Sequence, residues 1–296
     1  MTPSQRAAST PGLDATPGLI ALFCILWSSA FAAGKIALWD CPPLLLLTFR
    51  FLLAGSILLA GCAAFGRFKR LKRREWAALI LAGTLNNALY LGLSFTGLAT
   101  VSSAFTAVII SANPLLTALV AGPILGERLT PRKMLGLLLG FVGVIIVLRS
   151  RLAGGHEALT GTLFVLAALV ALTAGTLTYK RFGTKADLFQ ASGIQCLAGG
   201  IVLMPVALAT ESLSAIHLTP TFIGAFAFLT IAVSIGGYSL WYFILGRSSA
   251  TEATALHFIM PPLGLFFGWL ILGEMVPPLD FLGILPIAAG IWLVTR

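Results

Sequence analysis

A short pattern occurs twice in this chain at a fixed distance, and this repeat constrains the fold more than any other feature. A proline in an apolar stretch is followed twelve residues later by a Gly-Glu pair, and the arrangement returns 147 residues further on. Flanking glycines keep the same offset. The matching positions are Pro114 and Pro261, Gly126 and Gly273, Glu127 and Glu274, Gly136 and Gly283, and Gly143 and Gly290. A constant offset through two long apolar stretches indicates an internal duplication.

The composition requires a lipid bilayer. Of the 296 residues, 58% are hydrophobic and only 10% are charged, whereas a soluble protein has about 25% charged residues. The sequence therefore predicts an all-α polytopic membrane protein. The net charge of +9 does not indicate a nucleic-acid partner, because the basic residues lie at the ends of apolar stretches rather than on one polar face.

Ten apolar stretches approach or exceed the roughly 20 residues that a helix needs to cross a bilayer, and residues 1–16 precede them as a polar cytoplasmic tail. A cleaved signal peptide is the alternative for the first stretch, since Ala30-Phe31-Ala32 resembles a cleavage site, but the duplication requires this helix. The predicted spans are 17–36, 43–64, 76–95, 102–124, 133–149, 160–179, 189–209, 219–245, 252–273 and 279–295.

The basic residues set the predicted orientation. With the amino terminus in the cytoplasm, 15 of the 19 Lys and Arg residues fall in cytoplasmic segments, three fall outside, and Arg50 lies inside the second span. This bias follows the positive-inside rule. It predicts a multi-pass protein of the bacterial inner membrane with both termini in the cytoplasm.

Each half of the chain has an odd number of spans, so the second half enters the membrane from the opposite side. The predicted domains are a five-helix repeat over 17–149, an outer linker over 150–159 and an inverted five-helix repeat over 160–296. Inverted repeats are a recurrent plan of secondary transporters, with the substrate bound near the midplane between the halves.

These repeats resemble the drug/metabolite transporter superfamily, and within it the EamA-type ten-helix exporters. The resemblance covers residues 17–296 and is greatest for inner-membrane exporters of aromatic and other neutral amino acids. It implies carrier-mediated export of a small molecule. The residues that carry it are Trp27-Ser28-Ser29-Ala30-Phe31, Arg50-Phe51, Pro114, Gly126-Glu127-Arg128-Leu129, Pro261 and Gly273-Glu274.

Two prolines lie in the middle of predicted helices. Pro114 in the fourth span and Pro261 in the ninth each remove a backbone hydrogen bond, which kinks a helix. In a membrane the freed carbonyls must face protein or water. We expect both helices to bend around a central cavity; a packing kink without ligand contact is the alternative.

Amides and a phenol lie within two apolar spans. Tyr90 is three residues from Asn87 and four from Asn86, so all three share one face of the third helix, and Asn113 lies in the fourth. Such groups suit a neutral, zwitterionic substrate better than a phosphate, which prefers Arg or Lys. Hydrogen bonding between helices is the alternative for all four.

Two residues in the spans can carry charge. Arg50 marks a pathway, where it would meet a carboxylate, or has a structural role at the outer interface or on helix-end carbonyls; the sequence favours the structural role. His257 is a proton-coupling group or, as we favour, a hydrogen-bonded pore or packing residue. No carboxylate lies deep within a predicted span, which favours uncoupled transport.

Aromatic residues supply the remaining candidates. Trp27, with the adjacent Ser28, is the deepest tryptophan and is expected at the cavity. Tyr238 shares one face of the eighth span with Trp241 and Tyr242, and these rings suit an aromatic substrate. An interfacial aromatic belt is the alternative for Trp241 and Tyr242.

Glu127 and Glu274 follow the fourth and ninth spans, and we predict structural or gating roles for both. The repeated glycines give the fifth and tenth helices smooth faces for close packing, either inside the bundle or between protomers, so a homo-oligomer is left open. The four cysteines are scattered, and neither a metal nor a cofactor is expected.

The sequence thus predicts a transporter that exports small neutral metabolites, most of all aromatic and other neutral amino acids, by facilitated alternating access. The alternative is a proton-coupled exporter of drugs or of other metabolites such as nucleotide sugars and sugar phosphates. An intramembrane enzyme is disfavoured, since no cluster of His, Asp and Glu forms at an interface.

Overall fold

The structure, a computed structural model, describes residues 17–97, 100–101, 103–152, 158–182, 186–273 and 282–295, which form ten helical spans and no strand. Nine of these spans are long and apolar enough to cross a membrane, and the tenth is shorter over its described residues. The spans are α1 (Pro17–Ala37), α2 (Pro43–Ala64), α3 (Arg73–Gly97), α4 (Ser103–Ile110 and Asn113–Leu125), α5 (Pro131–Leu152), α6 (Leu159–Phe182), α7 (Leu188–Thr210), α8 (Pro220–Arg247), α9 (Ala250–Leu272) and α10 (Ile284–Thr295).

The predicted all-helical fold of ten spans is confirmed, with helix ends that differ from the predicted ones by a few residues. α2 packs along α7, and α5 packs along α10. α1 packs against α8 and α9, and α6 packs in the same way against α3 and α4. These contacts of the first repeat thus have counterparts in the second, and the surfaces that face each other between the repeats form the centre of the bundle.

The repeated glycines bring α5 and α10 into backbone contact. A Cβ atom added to Gly136 would lie 2.7 Å from the carbonyl oxygen of Gly290, and one added to Gly143 would lie 2.7 Å from that of Gly283. Only glycine allows this approach. The smooth faces predicted from the sequence therefore pack against each other within the chain.

The two repeats interrupt their helices at equivalent places. α3 contains a π-helical segment at Thr84–Tyr90, and α8 contains one at Phe228–Gly237; an offset of 147 maps residues 84–90 onto 231–237. α4 breaks between Ile110 and Asn113, and α9 has a 3₁₀ turn at Leu256–Ile259. Such π segments often mark functional sites, and they were not predicted from the sequence.

The duplicated prolines were expected in the interior of continuous helices, but each lies at the start of a helical segment. Pro114 and Pro261 occupy the first turn of the helical segments Asn113–Leu125 and Met260–Leu272, where the missing N–H leaves no hydrogen bond unmade. The interruption therefore precedes each proline instead of arising within a continuous helix. Both segments end on a glycine with positive φ, 73° at Gly126 and 67° at Gly273, a conformation that glycine adopts at helix ends without strain.

Candidate functional site

Four rings from three helices meet in the centre of the bundle. The ring of Trp27 lies 5.0 Å from Tyr238, 6.5 Å from Trp241 and 6.4 Å from His257, and Trp241 lies 5.0 Å from His257. We call these four residues the aromatic cluster. Trp241 is 4% exposed and Tyr242 is 2% exposed, so neither lies in an interfacial belt.

The polar face of α3 lies against α6 and α7, and all three of its predicted residues are buried. The Asn87 amide donates to the backbone oxygen of Gln195 at 3.0 Å. The Tyr242 hydroxyl donates to the side-chain oxygen of Gln195 at 2.8 Å and lies beside the Asn86 amide. Tyr90 lies within electrostatic range of Tyr238. Asn86 thus reaches the aromatic cluster through Tyr242, whose ring lies 6.4 Å from the ring of Tyr238, whereas Tyr90 packs against Ala168, Ala171 and Leu172 of α6.

Asn113 links the two repeats at the contact between α4 and α6. The Thr173 hydroxyl of α6 donates to the Asn113 side-chain oxygen at 2.9 Å, and the Thr117 hydroxyl lies 3.3 Å from the same atom. The Asn113 amide nitrogen is buried and has no hydrogen-bond partner in the described chain. Asn113 therefore joins α4 to α6 with one atom and leaves the other available.

Several other buried polar atoms around the centre also have no hydrogen-bond partner in the described chain. Each unmade hydrogen bond of a buried group costs about 1–3 kcal/mol, so a concentration of such groups on facing helices suits a site that a polar ligand completes. Side-chain atoms that are buried without a partner among the described residues include Ser28 Oγ, Asn86 Oδ1, Asn87 Oδ1, Asn113 Nδ2 and Thr176 Oγ1.

The two chargeable candidates also face this region. Arg50 is 8% exposed, and its Nε donates to the Ser234 hydroxyl in the π-helical part of α8 at 2.7 Å. His257 Nδ1 lies 2.9 Å from the Thr254 carbonyl oxygen. Because a carbonyl only accepts, Nδ1 carries the hydrogen, and Nε2 of the neutral ring is left as an acceptor.

The carboxylate of Glu127 caps the start of α9. We call this end of the bundle the near face; here α4 ends and α9 begins. One oxygen accepts from the Ala250 backbone N–H at 2.6 Å, and the other accepts from the Thr251 N–H at 3.2 Å and the Thr251 hydroxyl at 2.8 Å. An anion at a helix amino terminus is favourable. Glu274 lies outside the described residues.

Two lysines add charged contacts at the near face. Lys133 of α5 forms a salt bridge with Glu252 of α9 at 3.0 Å. The ammonium of Lys180, at the end of α6, donates to the carbonyl oxygens of Leu245 and Ser248. Together with the Glu127 cap these contacts form the near-face latch. The 147-residue offset pairs Lys133 with Asp280 and Lys180 with Ala33, so the duplication does not reproduce the lysine contacts.

Sequence reasoning missed several partners of these residues. Four residues contact a predicted candidate or belong to the latch but were not predicted as site residues: Gln195, Thr173, Ser234 and Lys180. A signal was present for two of them: Gln195 is one of two amides in a largely apolar helix, and the offset pairs Ser234 with Asn87.

Two inverted five-helix repeats around a centre of aromatic rings and incompletely paired polar groups define a secondary transporter. The EamA-like transporter family matches the chain twice, over residues 17–149 and again over 159–296. The chain belongs to this family and is a multi-pass membrane transporter.

Characterised and uncharacterised relatives agree with this class. The chain is 29% identical to the uncharacterized transporter YvbV of Bacillus subtilis (strain 168), over 93% of this chain and 90% of that protein. It is 28% identical to an S-adenosylmethionine/S-adenosylhomocysteine transporter of Chlamydia trachomatis, over 93% and 87% of the two chains. It is 24% identical to a probable amino-acid metabolite efflux pump of Escherichia coli (strain K12), over 93% of each.

A solved crystal structure has the same fold. It superposes with a TM-score of 0.77 at 21% sequence identity, and the match covers 94% of this chain and 95% of the other.

Proposed function

We propose that this transporter exports neutral amino acids, aromatic ones first, by uncoupled alternating access. The observation that carries the proposal is the centre itself, where the aromatic cluster lies beside buried amides and hydroxyls without partners in the described chain. Aromatic faces bind apolar side chains and ammonium groups. The neutral polar atoms supply hydrogen bonds for a small zwitterion.

The distribution of acids supports a neutral cargo. Every acid of the described chain lies in a loop or in the first turn of a helix, away from the centre; these residues are Asp40, Glu75, Glu127, Asp187, Glu211 and Glu252. A carrier of multivalent cations needs acids in its site. Phosphorylated cargo needs several bases, and Arg50 is the one that lies centrally in the described chain.

The interrupted helices supply the proposed movement. The break in α4 between Ile110 and Asn113 and the 3₁₀ turn in α9 lie at equivalent positions in the two repeats. Hinges of this kind let half of each helix move against the rest while the other half stays packed. With the near-face latch closed, the carrier opens at the opposite face; release of the latch reverses the access.

The orientation and domain limits belong to the same proposal. The excess of Lys and Arg in the segments at the near face supports a cytoplasmic near face and cytoplasmic termini in a bacterial inner membrane. The repeats then extend over 17–149 and 160–296, with 150–159 as the outer linker.

The relatives add one competing cargo. S-adenosylmethionine contains an amino-acid group and an adenine ring, and both suit the chemistry of the proposed centre. It therefore joins the test panel beside the neutral amino acids.

Flux into liposomes that contain only the purified protein tests the proposal. We expect saturable flux of labelled phenylalanine, with weaker flux of threonine and methionine, and no flux of a nucleotide sugar. The rate should not change when a pH gradient is imposed. Flux that requires the gradient would replace the uncoupled mechanism with a proton-coupled one, in which His257 is the first group to substitute. S-adenosylmethionine flux without phenylalanine flux would overturn the cargo assignment.

A further inference from the structure

Arg50 of α2 is buried beside the middle of the neighbouring helix α8 and not at a membrane interface. It lies seven residues into α2, about 10 Å along the helix axis from Pro43. Its Nε–H is bonded to Ser234, which lies in the middle of α8 and is fully buried. Its guanidinium also lies over the adjacent Phe51 ring, 5.4 Å from the centroid. The side chain thus points along the bundle interior and does not reach the outer interface.

This cation has no anionic partner in the described chain. Among the described residues, the only hydrogen-bond partner of its guanidinium is the neutral Ser234 hydroxyl, which occupies one of its five N–H donors. By contrast, the exposed Arg67 pairs with Asp187 at 2.8 Å. Burying a charge is costly unless it is paired with an opposite charge, and intramembrane charges that persist usually serve function.

A purely structural link between α2 and α8 does not explain why residue 50 is an arginine. A neutral donor such as glutamine would bond Ser234 equally well without the cost of the buried charge. What arginine adds is a fixed positive charge and a planar fork of N–H groups that matches a carboxylate.

Arg50 also lies next to the aromatic cluster. The Tyr238 phenol is within electrostatic range of the guanidinium, and the Tyr238 ring packs against Phe51 at 6.2 Å and Trp27 at 5.0 Å. A carboxylate held by Arg50 therefore places the rest of a small molecule at the Trp27 and Tyr238 rings.

The duplication does not supply a second such group. The offset of 147 pairs Arg50 with Leu197, so the two-fold related position in α7 is apolar. The centre is therefore symmetric in its backbone and asymmetric in its charge, which favours one orientation of the bound molecule.

We propose that the Arg50 guanidinium binds the carboxylate of the cargo and thereby selects amino acids and other small carboxylates over the corresponding amines, amides and alcohols. This inference rests on the proposed function for the identity of the cargo. The role of Ser234 is to position the guanidinium through Nε, which leaves the outer edge of the fork for the ligand.

The first test compares ligands with and without a carboxylate on the wild-type protein. Wild-type protein in liposomes should transport phenylalanine with a kcat/KM at least about tenfold higher than that of phenylalaninamide or phenylalaninol, because loss of the carboxylate leaves the buried guanidinium unpaired. Equal transport of phenylalanine and phenylalaninamide would overturn the proposal.

Variants of Arg50 test whether this residue causes the preference for the carboxylate. Arg50→Gln should lower the phenylalanine kcat/KM to the level of phenylalaninamide while leaving phenylalaninamide transport within about twofold of wild type. Arg50→Lys retains the charge without the fork and should restore part of the selectivity. Arg67→Gln, at the exposed ion pair, is the matched control and should keep the wild-type ratio. Correctly folded Arg50→Gln protein that keeps the wild-type ratio would overturn the proposal.

A separate measurement tests the Arg50 carboxylate site independently of the assignment of amino acids as the cargo. Thermal unfolding in detergent is followed with phenylalanine, S-adenosylmethionine, benzoate and phenylalaninamide. A carboxylate that raises the unfolding temperature of wild type but not of Arg50→Gln supports the Arg50 site even if phenylalanine is not transported. Phenylalanine flux with equal stabilisation of both proteins supports the cargo and contradicts the Arg50 site. Stabilisation by none of the carboxylates overturns the site directly.

Discussion

Asn113 illustrates how a single intramembrane amide can have one paired and one unpaired atom. Its oxygen accepts the Thr173 hydroxyl across the interface between the repeats, whereas its nitrogen is buried without a partner in the described chain. Hydrogen bonds of this kind between membrane helices contribute about 0.6 kcal/mol on average. The structural contribution of Asn113 is therefore small, and its unpaired nitrogen is the part that a cargo would use.

Substitution separates the two atoms. Thr173→Val removes the donor to the Asn113 oxygen, and we expect flux within about twofold of wild type and a loss of stability of about 0.6 kcal/mol. Asn113→Ala removes both atoms and should lower flux at least about tenfold, since a ligand hydrogen bond is lost as well. Liposome flux and thermal unfolding give both quantities. Equal flux losses in the two variants would reduce Asn113 to a link between helices.

At the scale of elements, a glutamate caps a helix at each face of the bundle, and the near-face latch adds the lysine contacts. Glu127 caps α9 at the near face, and Glu211 caps α2 at the far face, accepting from the Leu44 and Leu45 N–H groups at 3.0 and 2.8 Å. Only the first of these caps joins an element of one repeat to the hinge-bearing α9. Its loss should open the near face, whereas loss of the second should leave it closed.

Amide hydrogen exchange tests this difference. Glu127→Gln removes the charge from two backbone bonds and one hydroxyl bond, and we expect a loss of about 1.5–3 kcal/mol in the closed state. Exchange should accelerate in peptides that contain Ala250 and Thr251. Lys133→Gln breaks a partly exposed ion pair and should cost at most about 1 kcal/mol.

Glu211→Gln is the matched control for the cap. It should accelerate exchange at Leu44 and Leu45 and leave the start of α9 protected. If Glu127→Gln leaves exchange at Ala250 and Thr251 unchanged, the latch does not hold the near face.

At the scale of the whole molecule, the charge bias and the burial of the cysteines make the orientation measurable. All four cysteines are buried, and burial beside Glu211 raises the pKa of the Cys41 thiol to about 11. At neutral pH this thiol is protonated and therefore a poor nucleophile. The native protein should thus react little with maleimides.

Introduced cysteines then report the topology. Trp39 is 68% exposed beyond α1, and Phe65 is 81% exposed just after α2 at the opposite end. With a cytoplasmic near face, Trp39→Cys should react with a membrane-impermeant maleimide in intact cells, whereas Phe65→Cys should react only after permeabilisation. The reverse pattern would invert the proposed orientation.

Periodicity and hydropathy determined the architecture, because both are local properties of the chain. A membrane span is set by its own apolar length, and the 147-residue offset is visible without knowledge of any contact. Three of the four residues of the aromatic cluster, Trp27, Tyr238 and His257, were also predicted, since a polar or aromatic group within an apolar span stands out by itself.

The tertiary structure alone decided the pairings that give these residues a role. Arg50 meets Ser234 across 184 positions of sequence, and Glu127 meets Ala250 across 123; no local pattern encodes such partners. The sequence favoured a structural Arg50, and the absence of an acid beside it in the described chain became visible only once the helices were packed. The π segments of α3 and α8 were likewise not predicted and became visible only in the folded chain.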